Sequence, residues 1–488
     1  SIYEGVNLPA VFAIALVLLI AVAYNTICLS ATLPRAGGDY VFGSRIVNPI
    51  WGMIPSFMVE FSFVVGIASL AIVALQAFIG PAIITSYPQY AQTVASWIYT
   101  SPGNLSIIAV VIILLIFGLA IAGTKKWFLF IRIIGIYAIV MVIIFFGYLL
   151  TSNHQSIVNN FNSQAITPLN FSSVVTNATA TGWPQSVSSS ALSTAGAMIF
   201  LFFFMAAPIS AYFAGEIKNT QRSMTIGLMG GTIIAWTVAA IGILGFLAVF
   251  GYTFMSDFGF LGTLNGPTAS LGVFTFNTLL LSLVKDPNIT FLIGMGFGLA
   301  MYGFLSVTLL PASRILFAWS FDRLIPERFS SVSNRTRTPA FSLAFVGILT
   351  AIVAVIYAYN SATLGGVLAT TLIVAIAFMP NGFTAAILPF RKKDIYNLAP
   401  AIARKKIGGF PLITLTGLVQ GVGLIIIIVL TFLEPAAAGT STGQISTGAV
   451  AVVLGGLLLS IVFYPISRAI RKREGIDLRL VFNEIPPE

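Results

Sequence analysis

Side chains that commonly hold metals, cofactors or covalent intermediates are scarce in this sequence. His154 and Cys28 are the only histidine and the only cysteine, so the chain cannot assemble a zinc, haem or iron–sulfur site or an intrachain disulfide. The absence of a GxxxxGK[ST] phosphate loop argues against an ATP-driven pump. The GTSTG run at 439–443 matches a nucleophile elbow, but no strand or partner histidine accompanies it, and we interpret the match as chance. We therefore expect no metal, no cofactor and no enzyme activity.

Glu60 is a carboxylate inside a long apolar run, in the sequence EFSFVVG. A carboxylate within a bilayer is costly, so such a residue is usually paired, faces a cavity or takes part in function. One interpretation is that Glu60 carries a proton. The alternative is a carboxylate near one membrane interface whose hydrogen bonds are all local.

Pro208 interrupts a second apolar run, 194–214. Proline has no backbone donor and clashes with the preceding helical turn, so an interruption around Met205–Ala207 would leave carbonyl groups free to bind a ligand. The alternative is a simple kink whose polar groups neighbouring helices satisfy.

Oxygen donors and charges elsewhere give weaker candidates. Ser306 and Thr308 lie in the run 289–313, and hydroxyl oxygens are ligands that a hard cation such as sodium accepts. One residue separates them, whereas adjacent hydroxyls are the usual arrangement. Glu216 stands two residues before Lys218, and we expect it to form a cytoplasmic gate or an ion pair rather than contact substrate.

The elements that position these residues are membrane-spanning helices. The chain has 488 residues, of which 58% are hydrophobic and 8% charged, and its mean hydropathy is +0.99, whereas soluble domains carry about 25% charged residues. Runs of about 20 apolar residues predict spanning helices, and they lack the period-two alternation of a barrel strand. The eleven predicted spans are 8–30, 50–80, 105–123, 127–150, 194–214, 225–254, 289–313, 340–359, 364–388, 411–433 and 447–467.

The basic residues predict the orientation of these spans. Of the 24 Lys and Arg residues, 23 fall in alternate loops and the C-terminal tail 468–488, and the opposite loops hold Lys285 alone. The positive-inside rule makes the rich side cytoplasmic, which explains the net charge of +10 without nucleic acid. Residues 151–193 form an uncharged, polar outer loop. Four outer N-x-[ST] sequons predict glycosylation, at Asn104, Asn170, Asn177 and Asn288.

Eleven spans and a cytoplasmic C-terminus place Ser1 outside, immediately before the first span. Either the natural N-terminus is extracellular or another helix precedes Ser1. We expect the preceding helix.

Three stretches resemble the amino acid–polyamine–organocation (APC) transporter superfamily. They are LPRAGGDYVFGSR at 33–45, GEIKNTQRS at 215–223 and SRILFAWSFDRLIPERFSSVSNRTRTP at 313–339. Their order and separations match that superfamily over roughly residues 8–360. The resemblance implies an all-α polytopic membrane protein with two inverted repeats of five helices and two extra helices.

On this mapping the whole chain, 1–488, is one transmembrane domain. The family's first helix would lie before Ser1, 8–150 would be the rest of the first repeat, 194–388 the second repeat, and 411–467 the two extra helices.

The resemblance implies a secondary transporter in the plasma membrane that moves amino acids or similar small metabolites by alternating access. Proton coupling or exchange would drive transport. The implied partners are the substrate and membrane lipid, and no nucleic acid is implied. The family often has an acidic residue in the broken sixth helix; this chain lacks it, which favours a small neutral substrate. A non-transporting structural or regulatory subunit on the same fold is the alternative. The implied substrate contacts are Phe204, Met205, Ala206, Ala207, Pro208 and Ser210.

Overall fold

The computed structural model describes residues 5–164, 170–183, 194, 208–269, 274–360, 366–433, 447–478 and 482. These residues are almost all helical, with one hairpin of two short antiparallel strands, β1 (Lys406–Ile407) and β2 (Phe410–Pro411). The helices are α1 (Leu8–Thr32), α2 (Asp39–Ile46), α3 (Pro49–Ser86), α4 (Pro102–Ile121), α5 (Thr124–Thr151), α6 (His154–Asn162), α7 (Phe171–Ala180), α8 (Thr220–Phe250), α9 (Tyr252–Ala269), α10 (Phe276–Val284), α11 (Pro287–Phe321), α12 (Ala340–Tyr359), α13 (Gly366–Arg391), α14 (Lys393–Leu398), α15 (Leu412–Leu433) and α16 (Thr447–Arg473).

Within the described residues, ten helices are long and apolar enough to cross a membrane: α1, α3, α4, α5, α8, α11, α12, α13, α15 and α16. They overlap ten of the eleven predicted spans, while 194–214 lies mostly outside the described residues. Several begin where the sequence offers a cap. Asn7, Asn48 and Ser101 each accept a backbone N–H of the first turn, and a proline follows within two residues. This combination satisfies free donors and presets the helical φ angle.

Helix α3 is the central element, and it packs against α11, α12, α13 and α16. Helix α11 also packs on α5, and α4 and α12 pack on each other. The division of these helices into two inverted repeats stays a prediction.

The short helix α2 lies directly on α3 because glycines allow a close approach. A Cβ on Gly43 would lie 2.6 Å from Cα of Gly52, and a Cβ on Gly52 would lie 2.4 Å from the backbone N of Ser44. Every residue of α2 is buried as a result. The polar side chains of α2 are thus held inside the protein, at one end of the bundle.

Candidate functional site

A central cavity of about 70 Å³ lies between α3, α11, α13 and the short segment that follows Pro208. Its lining is mostly apolar. Among the described residues, the polar side chains in the lining are Ser62, Tyr212 and Thr308, and none is charged. The lining residues are Val59, Ser62, Phe63, Gly66, Ile67, Leu70, Ile209, Tyr212, Phe304, Leu305, Thr308, Val374 and Phe378.

The segment after Pro208 contributes one side of this cavity. From Pro208 to Glu216 the chain forms two 3₁₀ turns rather than a continuous α-helix. Ser210 lies in the first turn, and its Oγ is buried without a hydrogen-bond partner among the described residues. The other predicted substrate contacts lie outside the described residues: Phe204, Met205, Ala206 and Ala207.

Glu60 lies beside the cavity rather than in its lining. Val59, the residue before it, and Phe63, about one turn further along α3, line the cavity, and the Phe63 ring meets the Tyr212 ring edge-on at 6.3 Å. Glu60 is 9% exposed. Its Oε2 has no hydrogen-bond partner within the described part of the chain, and its carboxyl interacts electrostatically with Tyr212. A carboxylate whose Oε2 lacks a hydrogen bond within the described residues does not match the alternative of a locally satisfied group, and the proton-carrying role of Glu60 stays a prediction.

Tyr212 connects this region to the α2 end of the bundle. Its hydroxyl donates a short hydrogen bond to Oδ2 of Asp39 on α2, and both side chains are buried. Burial raises the pKa of Asp39 from 3.8 to about 6, although hydrogen bonds to Tyr212 and Asn381 lower it. Asp39 therefore changes its charge close to neutral pH, at the boundary between the cavity and this end of the protein.

The three stretches that carry the family resemblance meet in one vestibule at that end. The vestibule has a volume of about 350 Å³. All of its lining residues come from 33–45, 215–223 and 313–339: Arg35, Ala36, Tyr40, Val41, Arg45, Gly215, Glu216, Phe317, Ala318, Phe321 and Asp322. The sequence analysis related these three stretches to one transporter superfamily, but it did not predict that they line the same vestibule.

Two glycines allow the 33–45 loop to enter this vestibule. Gly37 has φ +100°, a conformation that L side chains rarely adopt, and a Cβ there would lie 2.5 Å from Cβ of Ala318. Gly38 has φ +46°, and a Cβ there would lie 3.0 Å from the Tyr212 ring. The loop thus depends on glycine for both its turn and its close approach.

A buried ion pair lies in the lining of the vestibule. Nη2 of Arg45 lies 2.8 Å from Oδ2 and 3.0 Å from Oδ1 of Asp322, and these side chains are 6% and 4% exposed. The Tyr40 hydroxyl donates a 2.5 Å hydrogen bond to the same Oδ2. The Phe482 ring lies 4.9 Å from Cζ of Arg45. The network joins α2 to the end of α11.

Glu216 lies at the rim of the vestibule. It pairs with Arg314, whose Nη2 is 3.2 Å from Oε2 of Glu216, rather than with its sequence neighbour Lys218. The Glu216 side chain is 52% exposed. Its role as a gate stays a prediction.

The two hydroxyls proposed as sodium ligands are in different positions. Thr308 lines the central cavity, whereas Ser306 does not contribute to that lining. Each hydroxyl donates to a carbonyl of its own helix, Ser306 to Tyr302 and Thr308 to Leu305. They do not converge on a shared point, and the prediction of a sodium site gains no support.

The predicted glycosylation sites lie at the surface to different degrees. Asn170, Asn177 and Asn288 are exposed, and Asn104 is half-buried. Oδ1 of Asn288 accepts a hydrogen bond from the Tyr87 hydroxyl. Glycosylation at these positions stays a prediction.

The sequence analysis missed Asp39, Tyr212 and the Arg45–Asp322 pair. A signal for Asp39 was present, since it is the one acidic residue between Arg35 and Arg45. Asp322 shares its loop with the exposed carboxylate of Glu327, so the sequence alone does not single it out.

One comparison with known proteins bears on this arrangement. The family model of the amino acid permeases matches residues 4–458, which include all three vestibule stretches and all the helices around the cavity. A match over this share of the chain, together with the ten apolar helices, shows that this multi-pass membrane protein belongs to the amino acid permease family of the APC superfamily.

Proposed function

We propose that this chain is a secondary transporter that carries a small neutral amino acid, or a similar metabolite, across the membrane by alternating access. The observation that supports this most directly is the central cavity beside the interrupted backbone that follows Pro208. In this proposal the cavity holds the substrate, and separation of the buried Arg45–Asp322 pair opens a route to it from the vestibule.

The cavity lining supports a neutral substrate. Its polar groups among the described residues are two hydroxyls and a phenol, which hydrogen-bond without a net charge. A cationic or anionic side chain would be desolvated there without a partner, at a cost of several kcal/mol. Ser210, on the segment after Pro208, has an Oγ without a partner in the described part of the chain, and this Oγ would hydrogen-bond to the amino or carboxylate group that all amino acids share.

The carboxyls support proton coupling. In this proposal Glu60 binds and releases the transported proton, and the Tyr212 hydroxyl relays it between Glu60 and Asp39 once the Glu60 side chain turns to hydrogen-bond with that hydroxyl. The hydroxyl accepts a proton from one carboxyl as it gives its own to the other, so Tyr212 is unchanged at the end. Asp39 then exchanges protons with the vestibule, on the side that the charge pattern predicts to be cytoplasmic.

The test uses the purified protein in proteoliposomes. Vesicles preloaded with unlabelled neutral amino acids are assayed for accumulation of each labelled one by counterflow, and net uptake is then measured with and without an imposed pH gradient. The key variant is Glu60→Gln, which keeps the shape but cannot release a proton. Glu327→Gln, at an exposed loop carboxyl, is the matched control.

The expected result is that Glu60→Gln keeps counterflow and loses the response of net uptake to pH, while Glu327→Gln keeps both. Counterflow without any pH response in the parent protein would make it an exchanger. Absence of counterflow for every amino acid, in folded protein, would contradict transport and favour a non-transporting subunit on the same fold.

A further inference from the structure

A second groove, with a volume of about 350 Å³, runs along α16 on the outside of the bundle. Its floor is formed by Phe57 of α3, Phe463 of α16 and the residues Leu324, Ile325 and Pro326, which follow α11. Ser467 and Arg471 line the groove near the C-terminal end of α16. The groove is therefore apolar along its length and polar at one tip.

This groove faces the bilayer. Leu459, Ile466 and Ile470 line it, and they are between 52% and 54% exposed. From Leu459 to Ile470 the helix rises about 16 Å, at roughly 1.5 Å per residue. That length matches one leaflet of the hydrocarbon core, which is about 15 Å thick. A lipid acyl chain therefore fits the groove in both polarity and length.

The polar tip carries positive charge. Arg468, Arg471, Lys472 and Arg473 follow one another within two turns at the end of α16. The nearest carboxylate is Glu474, which lies in the groove lining and pairs with Nη1 of Arg471 at 2.5 Å. Glu474 is 48% exposed, and an exposed pair of this kind is readily exchanged for another anion.

We propose that this groove is a binding site for an anionic phospholipid. The acyl chain occupies the apolar length between α16 and the Leu324–Pro326 segment. The phosphate and its anionic headgroup replace Glu474 at Arg471, with the neighbouring basic residues contributing at longer range. A clustered basic tip beside an apolar groove distinguishes anionic from zwitterionic headgroups.

The site adjoins the buried ion pair in the vestibule lining. Leu324 is two residues after Asp322, and the Phe57 ring stacks on Trp319 with 6.0 Å between centroids. The Trp319 indole in turn donates to Oγ of Ser56 at 2.9 Å. A lipid in the groove packs against the segment that carries Asp322 and stabilises the closed arrangement of the Arg45–Asp322 pair.

Cys28 provides a direct readout of lipid binding. It is the single cysteine and is fully buried, so a fluorogenic maleimide reacts with it only as the protein unfolds. Delipidated full-length protein in detergent is heated with increasing dioleoylphosphatidylglycerol or dioleoylphosphatidylcholine, and Tm is read from the dye. We expect phosphatidylglycerol to raise Tm by several degrees more than phosphatidylcholine at equal concentration.

Three variants test the assignment. Arg471→Gln should raise the half-saturating phosphatidylglycerol concentration about fivefold or more, the effect of one basic residue near an anionic headgroup. Lys393→Gln, which removes an equal charge from an exposed position elsewhere, should leave it unchanged. Ile466→Trp fills the groove from the lipid-facing side and should remove the preference between the two lipids.

Two results would overturn the proposal. One is equal stabilisation by the two lipids with no effect of Arg471→Gln, which would mean general solvation by lipid. The other is a parent protein that shows no lipid preference and is a dimer by light scattering, together with an Ile466→Trp variant that is a monomer. That result would mean that a second copy covers the groove.

Discussion

Asp322→Asn is the sharpest perturbation of the closed vestibule. The substitution keeps the size of the side chain but removes the charge that Arg45 faces, leaving a guanidinium buried at 6% exposure. In an open vestibule both side chains would be hydrated, so the substitution destabilises the closed state and leaves the open state almost unchanged. The variant should therefore populate the state in which the vestibule is open.

The size of the shift follows from the burial of the pair. Removing one partner of a buried ion pair costs about 3–5 kcal/mol, and every 1.4 kcal/mol changes an equilibrium about tenfold. The ratio of closed to open protein should fall by about two to three and a half orders of magnitude. The double variant with Arg45→Gln and Asp322→Asn should destabilise the closed state by much less than the sum of the two single variants. Neither charge remains buried without a partner in the double variant.

Alkylation of a single cysteine measures this ratio. Val59 lines the central cavity, so Val59→Cys in a Cys28→Ala background reports access to the cavity from the vestibule side to a membrane-impermeant maleimide. Asp322→Asn should raise the alkylation rate at least tenfold and slow counterflow. Glu474→Gln, which breaks an exposed pair, should leave the rate within about twofold, since such pairs contribute at most about 1 kcal/mol. An alkylation rate unchanged by Asp322→Asn would refute the role of the pair as the closure.

Three further outcomes follow from the site. Burial raises the pKa of Asp39 from 3.8 to about 6. The stabilisation that the protonated Asp39 gives the folded state is therefore complete below pH 3.8 and is lost as pH rises through 6. The Tm of Asp39→Asn should accordingly gain on that of the parent between pH 3.8 and 6, and the difference should stay constant above pH 6. Gly37→Ala, which forces a side chain into φ +100° and a close contact, should lower Tm and abolish transport, whereas Gly118→Ala, with open space around it, should leave both unchanged or raise Tm slightly. Thr308→Val should raise the substrate KM by up to about tenfold through loss of one neutral hydrogen bond, while Ser306→Ala, outside the cavity lining, should leave KM unchanged; equal effects of the two would contradict the position assigned to the cavity.

Much of the fold was predictable because a membrane leaves few choices to the chain. Apolar length and the alternation of basic loops locate the helices, and caps such as Asn48 locate their starts. The predicted spans mark apolar windows rather than helix ends. The span 289–313 stops before Arg314, but α11 continues to Phe321, because a charge ends an apolar window without ending a helix.

The site was less predictable because its contacts join distant parts of the chain. Tyr40 and Asp322 are 282 residues apart, and Asp39 and Tyr212 are 173 apart. A sequence gives the residue types at both ends of such a pair, but only the packing of α2 on α3 brings them together. Local signals were sufficient to select Glu60 and Pro208 as candidates, because a carboxylate and a proline are unusual inside long apolar runs.

Burial also decides which carboxylate we expect to close the vestibule. Glu216 and Asp322 each pair with an arginine, and the sequence analysis considered only Glu216, as a gate or an ion pair. Yet Glu216 is 52% exposed and Asp322 is 4% exposed, and exposed pairs contribute little whereas breaking a buried one costs several kcal/mol. We therefore expect that separating Arg314 from Glu216 changes the free energy of the closed state only slightly. We expect the Arg45–Asp322 pair to hold the vestibule shut, and hydration of both charges to compensate for its separation in each cycle.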